Sequence, residues 1–172
     1  GALQSRVGTA LLIGLVFSWF GDLFLIGSGP NFFLAGLVAF FAGHLCYGAA
    51  FALHETRTPH AGVALVAMLV PGYLLARWVL PGVTNPGLKA PVIAYMCVIS
   101  VMLALAAGCL SRPAGNWMFA GALLFYFSDI FVARAAFVSP GFVNSVVGLP
   151  LYFGGQLLLA VSIVYANGPP PD

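Results

Sequence analysis

Residues 7–26 read VGTALLIGLVFSWFGDLFLI, a run of 20 residues whose only charged side chain is Asp22. At about 1.5 Å per residue, such a run spans the roughly 30 Å hydrocarbon core of a bilayer. An aspartate near the middle of a membrane helix costs about 2.5 to 3.5 kcal/mol on insertion scales, so it is kept where it does something. A second stretch has the same character: Phe127-Ser128-Asp129 lies inside another apolar run, again with a serine close before the aspartate, as Ser18 precedes Asp22. The two aspartates are candidate functional residues.

The rest of the chain extends this reading. Of 172 residues 62% are hydrophobic and 6% charged, where a soluble domain carries roughly 25% charged residues. The mean hydropathy is +1.05. The expected fold is all-α, a polytopic transmembrane bundle with six spans, in an integral multi-pass membrane protein. The spans are placed at about Val7–Ile26, Asn31–Leu53, Ala61–Leu80, from beyond Pro91 to Leu110, Gly115–Phe137 and Phe142–Tyr165. Gly27-Ser28-Gly29-Pro30 and Ser111-Arg112-Pro113 supply stop signals. Pro71-Gly72 predicts a kink within the third span. Residues 1–167 form a single helical domain in this reading, and 168–172, Gly-Pro-Pro-Pro-Asp, form a disordered tail.

Composition also excludes several classes. The six basic residues are scattered and the formal charge is +2, so no nucleic-acid partner and no polybasic lipid anchor is expected. Cys46, Cys97 and Cys109 have no CxxC spacing and read as buried thiols. Only His44 of the three histidines lies in a span, too few for a zinc hydrolase, so neither metal nor cofactor is expected. Oligomeric state is not encoded in any feature of the sequence.

Antiparallel threading fixes relative depth. Asp22 lies about five residues before the end of its helix and Asp129 about eight before the end of its own, both toward the side that holds the first, third and fifth loops. They therefore fall in one leaflet, within roughly 5 Å of equal depth. The fourth helix brings Tyr95 to a similar level, while His44 and Gln156 lie nearer the midplane. Helical spacing groups Ser18 with Asp22; Gly36, Phe40, His44 and Tyr47; Gly121, Phe125, Ser128 and Asp129; and Tyr152 with Gln156. Polar faces turn away from lipid, so all four are expected to meet in one cavity.

Plainer roles compete at each position. Ser18 and Ser128 can bond back to carbonyls of the preceding turn. Gly21, Gly36 and Gly121 suit close helix packing. His44 and Gln156 can bridge helices, and Tyr47, Tyr95 and Tyr152 can be interfacial or core residues. Asp22 and Asp129 have no basic residue on their faces, since Arg134 points about 140° around the helix from Asp129 and can snorkel to the interface.

The ordered pattern of Ser18, Gly21-Asp22, Gly36, Phe40, His44, Tyr47, Gly121-Ala122, Phe125, Ser128-Asp129, Tyr152 and Gln156-Leu157-Leu158 resembles the YhhN-like lysoplasmalogenase family. The resemblance implies hydrolysis of the vinyl ether bond of a lysoplasmalogen, a choline or ethanolamine lysophospholipid, to a fatty aldehyde and a glycerophospho-base. It implies Asp22 and Asp129 as catalytic residues, with Ser18, His44, Tyr47, Tyr95, Ser128, Tyr152 and Gln156 supporting them or binding substrate. It further implies an eight-span fold of which this chain carries the last six spans, in keeping with a chain that begins at Gly1. The residues alone leave open a proton-coupled transporter using the same aspartates as a relay, a hydrolase of another lysolipid, and a structural membrane protein.

Overall fold

A computed structural model describes residues 2–166, which are helical almost throughout. Among the described residues six helices are long and apolar enough to cross a membrane: α1 (Arg6–Ile26), α2 (Pro30–Leu53), α3 (Thr58–Val79), α4 (Pro86–Gly108), α5 (Gly115–Phe137) and α6 (Phe142–Ala166). The protein is an integral, multi-pass membrane protein. The tail expected at 168–172 lies outside the described residues.

The termini of the helices follow local chemistry. Ser5 caps α1 by accepting from the Gly8 amide, and Asn85 caps α4 by accepting from Gly87. Pro30 and Pro86 open α2 and α4 at the position where a missing N–H costs nothing. Gly29, just before α2, has φ of 106°, which glycine adopts without penalty. The sequence expectation that the third loop runs on to Pro91 is corrected, because α4 begins at Pro86 and passes through Pro91. Pro91 falls just past the first turn, so it deprives the helix of a single intrahelical bond. α3 likewise continues through Pro71.

Short loops force antiparallel neighbours. α1 packs on α2, α2 on α4, α4 on α5, α5 on α6, and α6 returns to α1, closing a ring of five helices. α3 lies outside the ring against α4. The interior of the ring is filled by Leu11, Phe40, Tyr47, Phe51, Met102 and Phe125 among others. Close approach depends on glycines. A Cβ at Gly121 would lie 3.0 Å from the Gly155 carbonyl oxygen, and one at Gly155 would lie 2.9 Å from that of Gly121. The packing expected at Gly21 and Gly36 is also found, against the Phe40 ring and the Gly21 carbonyl respectively.

The outer surface is apolar, with Val63, Val66 and Val70 of α3 and Phe153, Leu157 and Val164 of α6 fully turned outward. Lipid is the solvent that tolerates such a surface. One expectation about the cysteines is corrected. Cys109 is buried and Cys46 partly so, but Cys97 is exposed, because its face of α4 borders a cavity between the helices.

Candidate functional site

The six helices line a cavity of about 870 Å³, within the range of roughly 300–1,000 Å³ typical of small-molecule sites. Its walls are mostly apolar, from Leu25, Leu37, Met68, Leu75, Ile99 and Ile130 among others. Two carboxyl groups break this surface, Asp22 from α1 and Asp129 from α5, and each is met by a tyrosine hydroxyl that also lines the cavity. Tyr152 Oη donates to Asp22 Oδ2 at 2.7 Å, and Tyr95 Oη donates to Asp129 Oδ2 at 2.6 Å. Among the described residues neither aspartate has a lysine or arginine within ion-pair distance.

Behind Tyr152 a chain of hydrogen bonds runs through three helices. Tyr47 Oη donates to Gln156 Oε1 at 2.9 Å, and Gln156 Nε2 donates to Tyr152 Oη at 3.1 Å. Since the Tyr47 hydroxyl proton is committed to Gln156, the 3.1 Å contact with Ser18 Oγ is donated by the serine. Every proton in the series Ser18, Tyr47, Gln156, Tyr152 therefore points toward Asp22. Such chains polarise in one direction and strengthen the last bond.

Asp129 has a different neighbourhood. His44 is fully buried one helix away, with Nδ1 at 2.6 Å from the Phe40 carbonyl oxygen. Its Nε2 faces Asp129 Oδ2 at 3.6 Å and has no hydrogen-bond partner among the described residues. The imidazole is held edge-on by Phe125, at 4.7 Å between centroids, and tilted against Tyr95 at 5.2 Å. Phe40, Phe125 and Tyr152 pack edge to face with one another beside it.

The nine residues singled out in the sequence thus divide into two layers. Asp22, Asp129, Tyr95 and Tyr152 reach the cavity. Ser18, His44, Tyr47, Ser128 and Gln156 stand behind it, so the expectation that His44 and Gln156 line the cavity is corrected. Gln156 is drawn into a bond with Tyr47 of α2 instead, and His44 bonds the Phe40 carbonyl of its own helix while its Nε2 faces Asp129 at 3.6 Å. Ser128 takes the plainer role, its hydroxyl donating to the Phe125 carbonyl at 2.7 Å, whereas Ser18 bonds across to α2.

Sequence reasoning missed five polar residues of the cavity wall, Tyr73, Ser100, Tyr126, Asn144 and Ser145. Asn144 lies in the first turn of α6, is buried, and accepts from Arg134 Nη1 while donating to the Ser139 carbonyl. Arg134 is therefore tied to α6 rather than free to snorkel. A polar residue in the first turn of a span looks like a headgroup-level residue, and only the proximity of Arg134 across the α5–α6 loop hints otherwise. Among the described residues no group of three or more His, Cys, Asp and Glu side chains is placed to hold a metal ion.

These features define a polytopic α-helical membrane protein with a carboxyl pair set in an apolar cavity. Residues 2–163 match the YhhN family, and the chain belongs to that family. It is 29% identical over 170 residues to a lysoplasmalogenase TMEM86A of Bos taurus, covering 95% of this chain and 69% of that protein. It is 35% identical over 168 residues to a lysoplasmalogenase TMEM86B of Sus scrofa, covering 95% of this chain and 65% of that protein. A lysoplasmalogenase of Mycobacterium bovis is 29% identical over 146 residues, 81% of this chain and 54% of its own length. No solved structure matches the chain.

Proposed function

We propose that this protein is a membrane lysoplasmalogenase that cleaves the vinyl ether bond of a lysoplasmalogen, giving a fatty aldehyde and a glycerophospho-base, with Asp22 and Asp129 as the acid–base pair. The observation that carries the reading is the presence of both carboxyls, each on a tyrosine donor, in one apolar cavity. The names of the relatives support the substrate class.

The chemistry asks for two carboxyl groups in opposite states. A neutral carboxyl gives its proton to the alkene carbon beyond the ether-bearing one, and the ether oxygen stabilises the resulting oxocarbenium ion. Water adds to that ion as the ionised carboxylate takes a water proton, leaving a hemiacetal. In the collapse, the second carboxyl returns this proton to the departing glycerol oxygen while the first takes back the hemiacetal hydroxyl proton. The carbon–oxygen bond breaks to aldehyde and alcohol, and both carboxyls regain their starting states. The requirement parallels that of glycosidases, one acid and one carboxylate across an oxocarbenium-like transition state. Only protons and water move, so the reaction needs no cofactor.

The cavity suits an amphiphile. Its apolar walls take an alkenyl chain, and the carboxyls lie toward the end of the helices where the first, third and fifth loops emerge, so a vinyl ether just below a headgroup comes level with them. The test is mass spectrometry of products from purified protein in detergent, with vinyl ether, alkyl ether and acyl lysolipids of matched chain. Aldehyde from the vinyl ether alone is the expected result. No turnover of any lysolipid would favour a transporter, since detergent holds no gradient, and turnover of the acyl lipid alone would make the protein a different lipase.

A further inference from the structure

We infer that Asp129 is the member of the pair that carries the proton, that His44 is the positioning residue that holds it there, and that Asp22 is the ionised partner. This deepens the proposed reaction and rests on it only for the use to which the proton is put.

Hydrogen-bond direction carries the inference. A backbone carbonyl can only accept, so the 2.6 Å contact with the Phe40 oxygen makes His44 Nδ1 the protonated nitrogen of a neutral imidazole. Nε2 then presents a lone pair. It is wholly buried and faces Asp129 Oδ2 at 3.6 Å. A lone pair opposite a carboxylate oxygen is repulsive, and a buried acceptor without a donor costs about 1–3 kcal/mol. Both penalties vanish when one proton lies between the two groups and the gap closes to hydrogen-bond length. A neutral acid donating to a neutral imidazole satisfies the pair without burying two charges. Oδ2 can still accept from Tyr95 in that state.

Asp22 has the opposite surroundings. It is the terminus of the donor series from Ser18 to Tyr152, and no acceptor is aimed at it within hydrogen-bond distance among the described residues. Donors stabilise a carboxylate. The two aspartates, alike in sequence context, are thus made unlike by what faces them. The other ionisable side chains around the pair are Tyr47 from α2, Tyr73 from α3, Tyr95 and Cys97 from α4, Tyr126 from α5 and Tyr152 from α6, and no lysine or arginine lines the cavity. His44 itself does not reach the cavity, so it acts through Asp129 and not on the substrate.

Infrared difference spectra of the purified full chain in phosphatidylcholine nanodiscs, with no substrate, test the assignment. A protonated-carboxyl carbonyl band is expected near neutral pH, retained in Asp22→Asn and lost in Asp129→Asn. His44→Leu should shift the band, because the carboxyl O–H loses its acceptor, and His44→Gln should return it toward its original place. In turnover assays His44→Leu should lower kcat about tenfold or more with KM nearly unchanged, and move the alkaline limb of the pH profile to lower pH, with recovery in His44→Gln. Loss of the band in Asp22→Asn, or its absence from the unsubstituted chain, overturns the assignment. A band and an alkaline limb unmoved by His44→Leu reduce His44 to packing and overturn its role. Because the spectra need no turnover, a chain with the Asp129 band that hydrolyses no vinyl ether refutes the reaction and leaves the proton assignment standing.

Discussion

Asparagine at position 22 or 129 keeps the volume of the side chain and its ability to accept from Tyr152 or Tyr95, and removes only the exchangeable proton and the charge. Asp22→Asn and Asp129→Asn should therefore each cost at least about 100-fold in kcat, the usual scale for losing an acid or base, while the thermal transition in detergent stays close to that of the parent. Tyr152→Phe is a gentler change, deleting the one hydroxyl that joins the series from Ser18 to Asp22. A hydrogen bond to a charged group contributes about 1.5–3 kcal/mol, so a loss of about tenfold or more in kcat is expected, and a rate within twofold of the parent would show that the series does not support Asp22. The pH dependence should be a bell. On the acid side activity falls as the working carboxylate takes up a proton, on the alkaline side as the acid loses its own, and the apparent values belong to the pair. At this scale the sequence exposed the aspartates, because a charge in an apolar run stands out. It did not expose the direction of the bonds around them, which depends on the approach of Tyr152 from 130 residues away and of Tyr95 from 34.

Helix α5 meets α6 through Gly121 and Gly155, whose backbones are too close to admit a side chain without shifting one helix. Gly121→Val forces the pair apart and should cost about 1–3 kcal/mol, the usual scale of overpacking. Gly72 of α3 has nothing within 4 Å of the place a Cβ would take, so Gly72→Val should leave the transition in place. Thermal unfolding in one detergent compares the two directly, and equal shifts would mean that glycine acts through helix propensity and not through packing. Much of this level was legible. The ends of α5 at Gly115 and Phe137 and the start of α6 at Phe142 follow from the loop residues. The start of α4 was not, because Pro91 reads as a breaker in sequence, yet sits just past the first turn, where it removes a single bond. The depth argument put Tyr95 level with Asp129, since antiparallel threading sets height, and the structure adds the hydrogen bond between them. It could not tell a cavity wall from the layer behind, since a face some 100° wide covers both, and so His44 and Gln156 were put one layer too far inward.

The molecule as a whole is a ring of five helices with α3 laid against α4, and the cavity is walled by residues of α3 as well as of the ring. Leu65, Met68, Leu69 and Ala76 of α3 face it, and the outer side of the same helix meets lipid. A substrate that enters here is bound chiefly by its chain, and binding therefore discriminates poorly among lysolipids that share one. Selection has to come from the chemistry. Protonation at carbon yields an oxocarbenium ion only from a vinyl ether. A saturated alkyl ether has no alkene to protonate, and an acyl ester calls for a nucleophile or activated water with an oxyanion hole. The alkyl ether lysolipid of matched chain should thus inhibit competitively, with a Ki near the KM of the vinyl ether, and give no product. Chelators should leave turnover unchanged, since only protons and water move. Solvent isotope reports on the step itself. In deuterium oxide the carboxyl proton exchanges, so the aldehyde should carry one deuterium at the carbon next to the carbonyl, measured against aldehyde incubated without protein to allow for enolisation. Aldehyde with no deuterium beyond that control would exclude protonation at carbon, and with it the pairing of acid and carboxylate built on Asp22 and Asp129.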